Sequence, residues 1–336
     1  MTPQCYLIVG FGSIGKRHLN NLRALQPDAK IVVMRRASQV STQTEVPEGA
    51  DYLVSTLEQA LSFAPGAAII ANPAPFHVKI AQQLVEHDIH LLVEKPIAAS
   101  LDGVEQLIAT AQERSLILMT AYNFRFSEAA IRFRDCLLSG EIGKLLSVCV
   151  DTGQYLPNWR PDSDYRQGVS ARKDLGGGVL LELSHELDYL RWIFGDVETV
   201  YARCAKSGEL EIDPEVEESI DMLLGFKSGL SANVHIDFIQ ALPHRICKVI
   251  GARGTLVWDA VHHEVRINTL DEPQGRLLVA PNEQRNDMYL DEITHFIECI
   301  VSSKGPKVDG VDGLAALKIV LAAKRSAQTK QVITIG

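Results

Sequence analysis

The chain has 336 residues, 46% of them apolar and 22% charged, with a formal net charge of −9. That length suggests two domains with a core each, and the composition is that of an ordinary globular protein. The acidic balance argues against nucleic acid, which is bound mainly through Lys and Arg contacts to phosphates.

No apolar run approaches the eighteen residues of a membrane span, and a strand-like run begins at residue 4, leaving no room for a signal peptide. A cytoplasmic protein without a membrane partner is expected. The six cysteines, at 5, 136, 149, 204, 247 and 299, form no CxxC pair. They read as reduced thiols, and no metal site is expected.

Up to residue 121, apolar runs at 4–9, 30–34, 67–71, 90–94 and 116–121 alternate with helical stretches at 14–25, 56–63, 76–87 and 101–114. Nearly continuous apolar strands alternating with helices predict a doubly wound parallel sheet. Thr56 and Ser100 stand where helix N-caps belong. After Tyr122 the rhythm changes. A helix at 127–139, a strand near 145–152 and an irregular stretch at 153–175 lead to Gly176–Gly178, which opens a helix running to Gly195. Strands follow from 197 to 269, with hairpin turns at Lys227-Ser228-Gly229 and Gly251–Gly254, and helices at 287–302 and 310–328 close the chain. The expected fold is thus α/β: a Rossmann domain at 1–121, then an α+β domain at 122–336 with a large, mostly antiparallel open sheet for substrate binding and self-association.

Gly10-Phe11-Gly12-Ser13-Ile14-Gly15 sits at the first strand-to-helix junction. There Gly10 permits a tight turn, Gly12 lets backbone approach a pyrophosphate, and Gly15 lets helix pack on strand. About twenty residues on, where NAD enzymes place an acid on the ribose, the chain has Arg35, Arg36 and Ser38. Arginine suits a 2′-phosphate, so NADP is the preferred cofactor, with NAD the alternative. Lys95 follows Glu94 at the carboxyl end of an apolar strand, where it can hold a substrate oxygen. In the helix after the glycines, Leu183, Leu187, Leu190 and Phe194 form one stripe, with Glu182, His185, Asp188, Tyr189 and Trp192 opposite. That second face reads as a cleft wall or a solvated surface, and His185 is its proton-transfer candidate. Arg166, Arg172 and Lys173, just upstream, would suit an anionic substrate, or form a solvated basic loop.

Together with Asn72-Pro73-Ala74-Pro75-Phe76-His77 and Asp312-Gly313-Leu314, these motifs resemble the Gfo/Idh/MocA family over essentially the whole chain. The resemblance implies a two-domain NAD(P)-dependent oxidoreductase acting on sugars, cyclitols or their activated derivatives. It implies that Lys95 lies near the nicotinamide and that His185 transfers the proton. Asn72, Pro73 and His77 would border the cofactor and Glu94 would help to hold it. Tyr122, Asn123, Arg125 and Asp188 match positions facing the substrate. The family's usual aspartate four residues before the histidine is Leu181 here, with Glu182 one residue later.

The expected reaction is reversible oxidation of a secondary alcohol by a homodimer or homotetramer. His185 takes the hydroxyl proton and Lys95 holds the reacting oxygen. The rivals are redox-assisted elimination or glycoside cleavage, and a non-catalytic dinucleotide sensor.

Overall fold

The computed structural model describes residues 2–36, 44–279 and 284–336. They fall into two compact units, Met1–Asn123 with Arg285–Leu314, and Phe124–Gln284 with Ala315–Gly336.

The first unit begins β1 (Cys5–Val9), α1 (Ser13–Leu25), β2 (Lys30–Met34), β3 (Tyr52–Val54), α2 (Leu57–Leu61), β4 (Ala67–Ile70), α3 (His77–Glu86), β5 (His90–Glu94), α4 (Val104–Glu113) and β6 (Leu118–Ala121). Its strands lie in the order β3-β2-β1-β4-β5-β6, all pairs parallel. Every residue of β1 and β4 is buried, as it must be where helices cover both faces of a sheet. The order reverses between β1 and β4, and such switch points open a ligand crevice at the strands' carboxyl ends.

Two details depart from the sequence reading. Strand β3 was not expected, because three residues at a sheet edge carry too little periodicity to register. Thr56 does cap α2 with a full capping box, but Ser100 does not cap α4. That helix starts at Val104 behind left-handed Gly103, and the Ser100 hydroxyl donates instead to Asp102.

The second unit opens with α5 (Glu128–Leu138), capped by Ser127, and β7 (Leu145–Gly153). Short 3₁₀ turns between Leu156 and Leu175 precede α6 (Val179–Glu182) and α7 (His185–Phe194). The expected single helix after the glycines is therefore broken at Leu183-Ser184. Then come β8 (Val197–Ala205), β9 (Ser219–Phe226), β10 (Ser231–Asp237), β11 (His244–Gly251), β12 (Gly254–Asp259), β13 (Glu264–Thr269) and β14 (Arg276–Val279).

The chain ends in α8 (Asp287–Ser302), α9 (Gly310–Thr329) and β15 (Ile333–Thr334). The second sheet runs β14-β13-β12-β11-β7-β10-β9-β8-β15, antiparallel except for β7 against β10. Alternate residues of its strands are buried under α5 and α6, while Tyr201, Leu223 and Ile250 lie exposed on the opposite face.

By its contacts the segment 285–314 groups with the first unit, apart from the rest of 122–336. The cause is α8, which packs on α1 with Met288, Ile293 and Phe296 buried; chain order alone does not show this return. No described helix is long and apolar enough to cross a membrane.

Candidate active site

In the first unit, the glycine turn stands at the switch point. Gly10 has φ +94°, and a Cβ there would lie 2.6 Å from the Asn72 backbone nitrogen, so both the conformation and the space demand glycine. A Cβ on Gly15 would collide with the Gly10 carbonyl, whereas one on Gly12 would meet no atom of the described residues within 4 Å. Gly12 thus faces open space, and as the N-cap of α1 it brings no side-chain cap to the first turn. Backbone N–H groups and the positive end of the helix dipole are left for an anion. Ser13 is exposed beside them, with Ile14 half-buried behind. These features, together with the buried and unpartnered Asn72 Oδ1 next to Gly10, fit a dinucleotide pyrophosphate.

At the end of β2, the Arg35 guanidinium lies 5.9 Å from the Phe11 ring and that of Arg36 4.6 Å from the Phe76 ring, both within cation–π range. Ser38 lies outside the described residues.

The other crevice residues come from the ends of β4, β5 and β6. Asn72 and Pro73 are half-buried. His77 is fully buried, with Nδ1 3.0 Å from the Pro96 carbonyl and Nε2 2.6 Å from the Asn72 carbonyl. Burial lowers its pKa, so the ring is neutral and serves one of these carbonyls at a time through its single N–H. His77 therefore ties the loops after β4 and β5 together, with both ring nitrogens facing backbone.

Glu94 is buried and accepts from His18 Nε2 at 2.6 Å. Its second oxygen accepts from the Lys95 backbone N–H at 3.1 Å. Lys95 itself is half-buried, before a cis peptide to Pro96. Tyr122 is wholly buried, and Asn123, also buried, hydrogen-bonds the Tyr289 phenol of α8.

In the second unit, the glycine triplet is a steric necessity. A Cβ on Gly177 would lie 2.6–2.7 Å from three carbonyl oxygens, and one on Gly178, at φ +112°, would strike the Glu217 carboxylate. That carboxylate accepts from Leu180 N, so it caps α6 as an N-cap side chain would. Glu182 ends α6 half-buried while Leu181 is buried, so the acid stands at the outer position.

His185 opens α7, half-buried, its ring 5.1 Å from that of Phe124. Phe124 also packs on Trp258 and Tyr189 and lies under the Arg245 guanidinium at 4.5 Å. Arg245 grips the buried Glu186 through two hydrogen bonds of 2.6 and 3.1 Å. Sequence reasoning missed Phe124, Glu186 and Arg245. The signal available was Glu186 itself, a carboxylate beside the histidine that helical phase turns away from it.

The face opposite the leucine stripe is not an open wall. Asp188 and Tyr189 are 1% exposed. Asp188 forms a two-bond pair with Arg125 at 2.6 and 3.0 Å, with both side chains buried. These two expected substrate ligands thus satisfy each other in the interior.

The upstream cations are likewise paired, though exposed: Arg166 with Asp164 and Glu211, Arg172 with Asp174, and Lys173 with Glu215. Three cations against four carboxylates leave no net positive charge in this group, which suits the solvated loop better than an anion site. On the open sheet face, Asp151, His235 and Asp237 converge closely enough for a cation. His235 and Gln240 already donate to these carboxylates, however, so the cluster is closed by its own hydrogen bonds.

A parallel 3-2-1-4-5-6 sheet with a glycine turn and an open helix N-terminus at its switch point defines a dinucleotide-binding Rossmann unit. In one chain with a second unit built on an open sheet, it marks the class of two-domain oxidoreductases.

Comparison with known proteins fixes the family. Residues 5–122 match the Gfo/Idh/MocA oxidoreductase family's NAD-binding Rossmann fold, and residues 134–335 its C-terminal alpha/beta domain. The chain belongs to this family and is an oxidoreductase. It is 25% identical to the myo-inositol 2-dehydrogenase of Thermotoga maritima, over 98% of this chain and 97% of that one. It is 22% identical to a D-xylose 1-dehydrogenase (NADP(+)) of Haloferax volcanii, over 98% of each. A solved levoglucosan dehydrogenase, in complex with NADH and levoglucosan, shares the fold with a TM-score of 0.87 at 18% identity, over 98% of this chain and 99% of that one.

Proposed function

We propose that the protein transfers hydride reversibly between a nicotinamide and a secondary alcohol of an uncharged sugar or cyclitol. The observation that carries this reading is Lys95 at the carboxyl end of β5, in the same parallel sheet whose switch point holds the glycine turn. When bound, NAD(P) supplies the hydride acceptor. Gly10, Phe11, Gly12, Ser13 and the first turn of α1 would hold its pyrophosphate, with Asn72 and Pro73 alongside. Arg35 and Arg36 would take a 2′-phosphate, which favours NADP.

Lys95 donates to the reacting oxygen and stabilises alkoxide character as it develops. His185 takes the hydroxyl proton, and Glu182, close by in sequence, assists it. Arg125 and Asp188 position α7 from behind. The pairing of Arg166, Arg172 and Lys173 with their own acids favours a neutral polyol over a sugar acid or nucleotide sugar. The exposed apolar face of the second sheet supports self-association.

The test is Lys95→Ala, assayed with both cofactors against a panel of inositols, aldoses and sugar acids. Turnover should fall about a hundredfold or more, the scale for one transition-state donor, with cofactor affinity nearly unchanged. Retention of more than about a tenth of turnover removes Lys95 from the reaction. His185→Asn should lower turnover and delete an ionisation near neutral pH from the rate profile.

A further inference from the structure

The helix that presents the glycine turn is also wired to the strand end that carries Lys95. His18 sits on α1, three residues past Gly15, and is 0% exposed. Its Nε2 donates to Glu94 Oε1 at 2.6 Å, and Glu94 Oε2 accepts from the Lys95 backbone N–H at 3.1 Å. The two carboxylate oxygens thus join two different elements, α1 and the carboxyl end of β5. His18 Nδ1 has no hydrogen-bond partner among the described residues, where the ring's one contact of this kind is Glu94. A buried histidine with a single short charge-assisted bond fixes the orientation of its acceptor more firmly than a solvated one, because no water competes.

We propose that His18 is a positioning residue for Lys95, acting through Glu94. It locks the carboxylate rotamer that holds the Lys95 peptide, and so sets where the Lys95 amine points when α1 carries a dinucleotide. The inference rests on the reading of Lys95 as the group that holds the reacting oxygen. His18 touches neither cofactor nor substrate in this account.

The chemistry of the bond supplies the test. A glutamine amide reaches the place of the histidine Nε2, whereas an asparagine amide reaches only that of Nδ1. Three proteins are compared with wild type: His18→Gln, His18→Asn and Lys95→Ala. Each is measured for kcat, KM and cofactor dissociation constant, the last by fluorescence titration. His18→Asn should lose about tenfold or more in kcat, the scale of a small misplacement of a reacting group. Its cofactor dissociation constant should stay within about threefold, and His18→Gln should recover most of the loss. In a Lys95→Ala background, His18→Asn should lower kcat no further, since the two act through one group.

Equal activity of the Gln and Asn variants overturns the proposal, as does a fall in cofactor affinity matching the fall in kcat. Additive losses in the double variant overturn it too. Failure of the underlying reading shows separately, as an active Lys95→Ala. An activity-independent arm covers folding. The 13C signal of reductively methylated Lys95, assigned by its absence in Lys95→Ala, should shift in His18→Asn and return toward its wild-type position in His18→Gln. An unmoved signal in both also overturns the proposal.

Discussion

Glu292 is a buried carboxyl group in the first unit, and removing its charge should stabilise the protein in a pH-dependent way. It lies in α8 and is 0% exposed, and neither carboxyl oxygen meets a hydrogen-bond partner among the described residues. Burial first, and then the negative charge of Glu94, raise its pKa well above the ordinary value of 4.5. The sign follows from linkage. Above that ordinary value the unfolded chain has lost this proton while the folded chain keeps it, so the native state binds more protons. Unfolding free energy therefore falls as pH rises, by about 1.4 kcal/mol per pH unit, until the folded group itself ionises.

Glu292→Gln has the same shape and no charge to bury at any pH. The difference in stability between variant and wild type should be small near pH 5 and widen by about 1.4 kcal/mol for each unit above it. For a unit of this size that is roughly 3–6 °C in Tm per pH unit. Scanning calorimetry of both proteins at pH 5, 6, 7 and 8 measures it, and other titrating groups cancel in the difference. Parallel curves of Tm against pH would refute the reasoning, because they would mean that Glu292 is charged and compensated in the folded state.

Three further outcomes follow from the same geometry. Arg35→Ala should weaken NADPH by about tenfold while leaving NADH nearly unchanged, since a charge-assisted pair to phosphate contributes about 1.5–3 kcal/mol; equal losses for both cofactors in a fluorescence titration would make Arg35 a support for Phe11 and no more. Asp188→Ala removes two charge-assisted hydrogen bonds from the buried Arg125 guanidinium and should lower stability by about 3–5 kcal/mol in denaturant unfolding, with Arg125→Met/Asp188→Leu recovering most of it; additive losses in the double variant would show that the pair is not the cause. Leu223→Lys, beside Tyr201 on the open sheet face, should convert an oligomer to monomer in light scattering without altering far-UV circular dichroism, and an unchanged mass would place self-association elsewhere.

What the sequence makes legible divides by how far away the deciding partner lies. The glycine turn is legible because its requirement is local: φ at Gly10 and the approach of α1 to β1 are set within one junction. The strands β1, β2, β4, β5 and β6 are legible for the same reason, since burial on both faces leaves a continuous apolar run. Edge strand β3, three residues long, leaves no such trace. The break between α6 and α7 hides because Leu183 and Ser184 suit a helix as well as a kink, and the Glu217 cap that ends the glycine loop comes from far along the chain.

The misread charges sharpen the point. Asp188 and Arg125 are expected to face the substrate from the family resemblance, yet the two, 63 residues apart in the chain, pair with each other in the interior. The loop cations are different, because Asp164 and Asp174 stand only two residues from the arginines they neutralise. Those neighbouring acids cancel the positive charge that an anionic substrate would need, and the cancellation is visible in the order of residues alone. A charge cluster is therefore better scored by its net balance over one turn of chain than by its cations. By that measure Arg35 and Arg36 stand apart from the loop cations: the described residues nearest them in sequence, Met34 and Val33, bring no acid, and what their guanidinium groups meet is aromatic. With Phe11 and Phe76 in cation–π range at the end of β2, the charge of Arg35 and Arg36 is not spent on a neighbouring acid among the described residues, and on the reading proposed above it would meet a 2′-phosphate of the cofactor rather than the substrate.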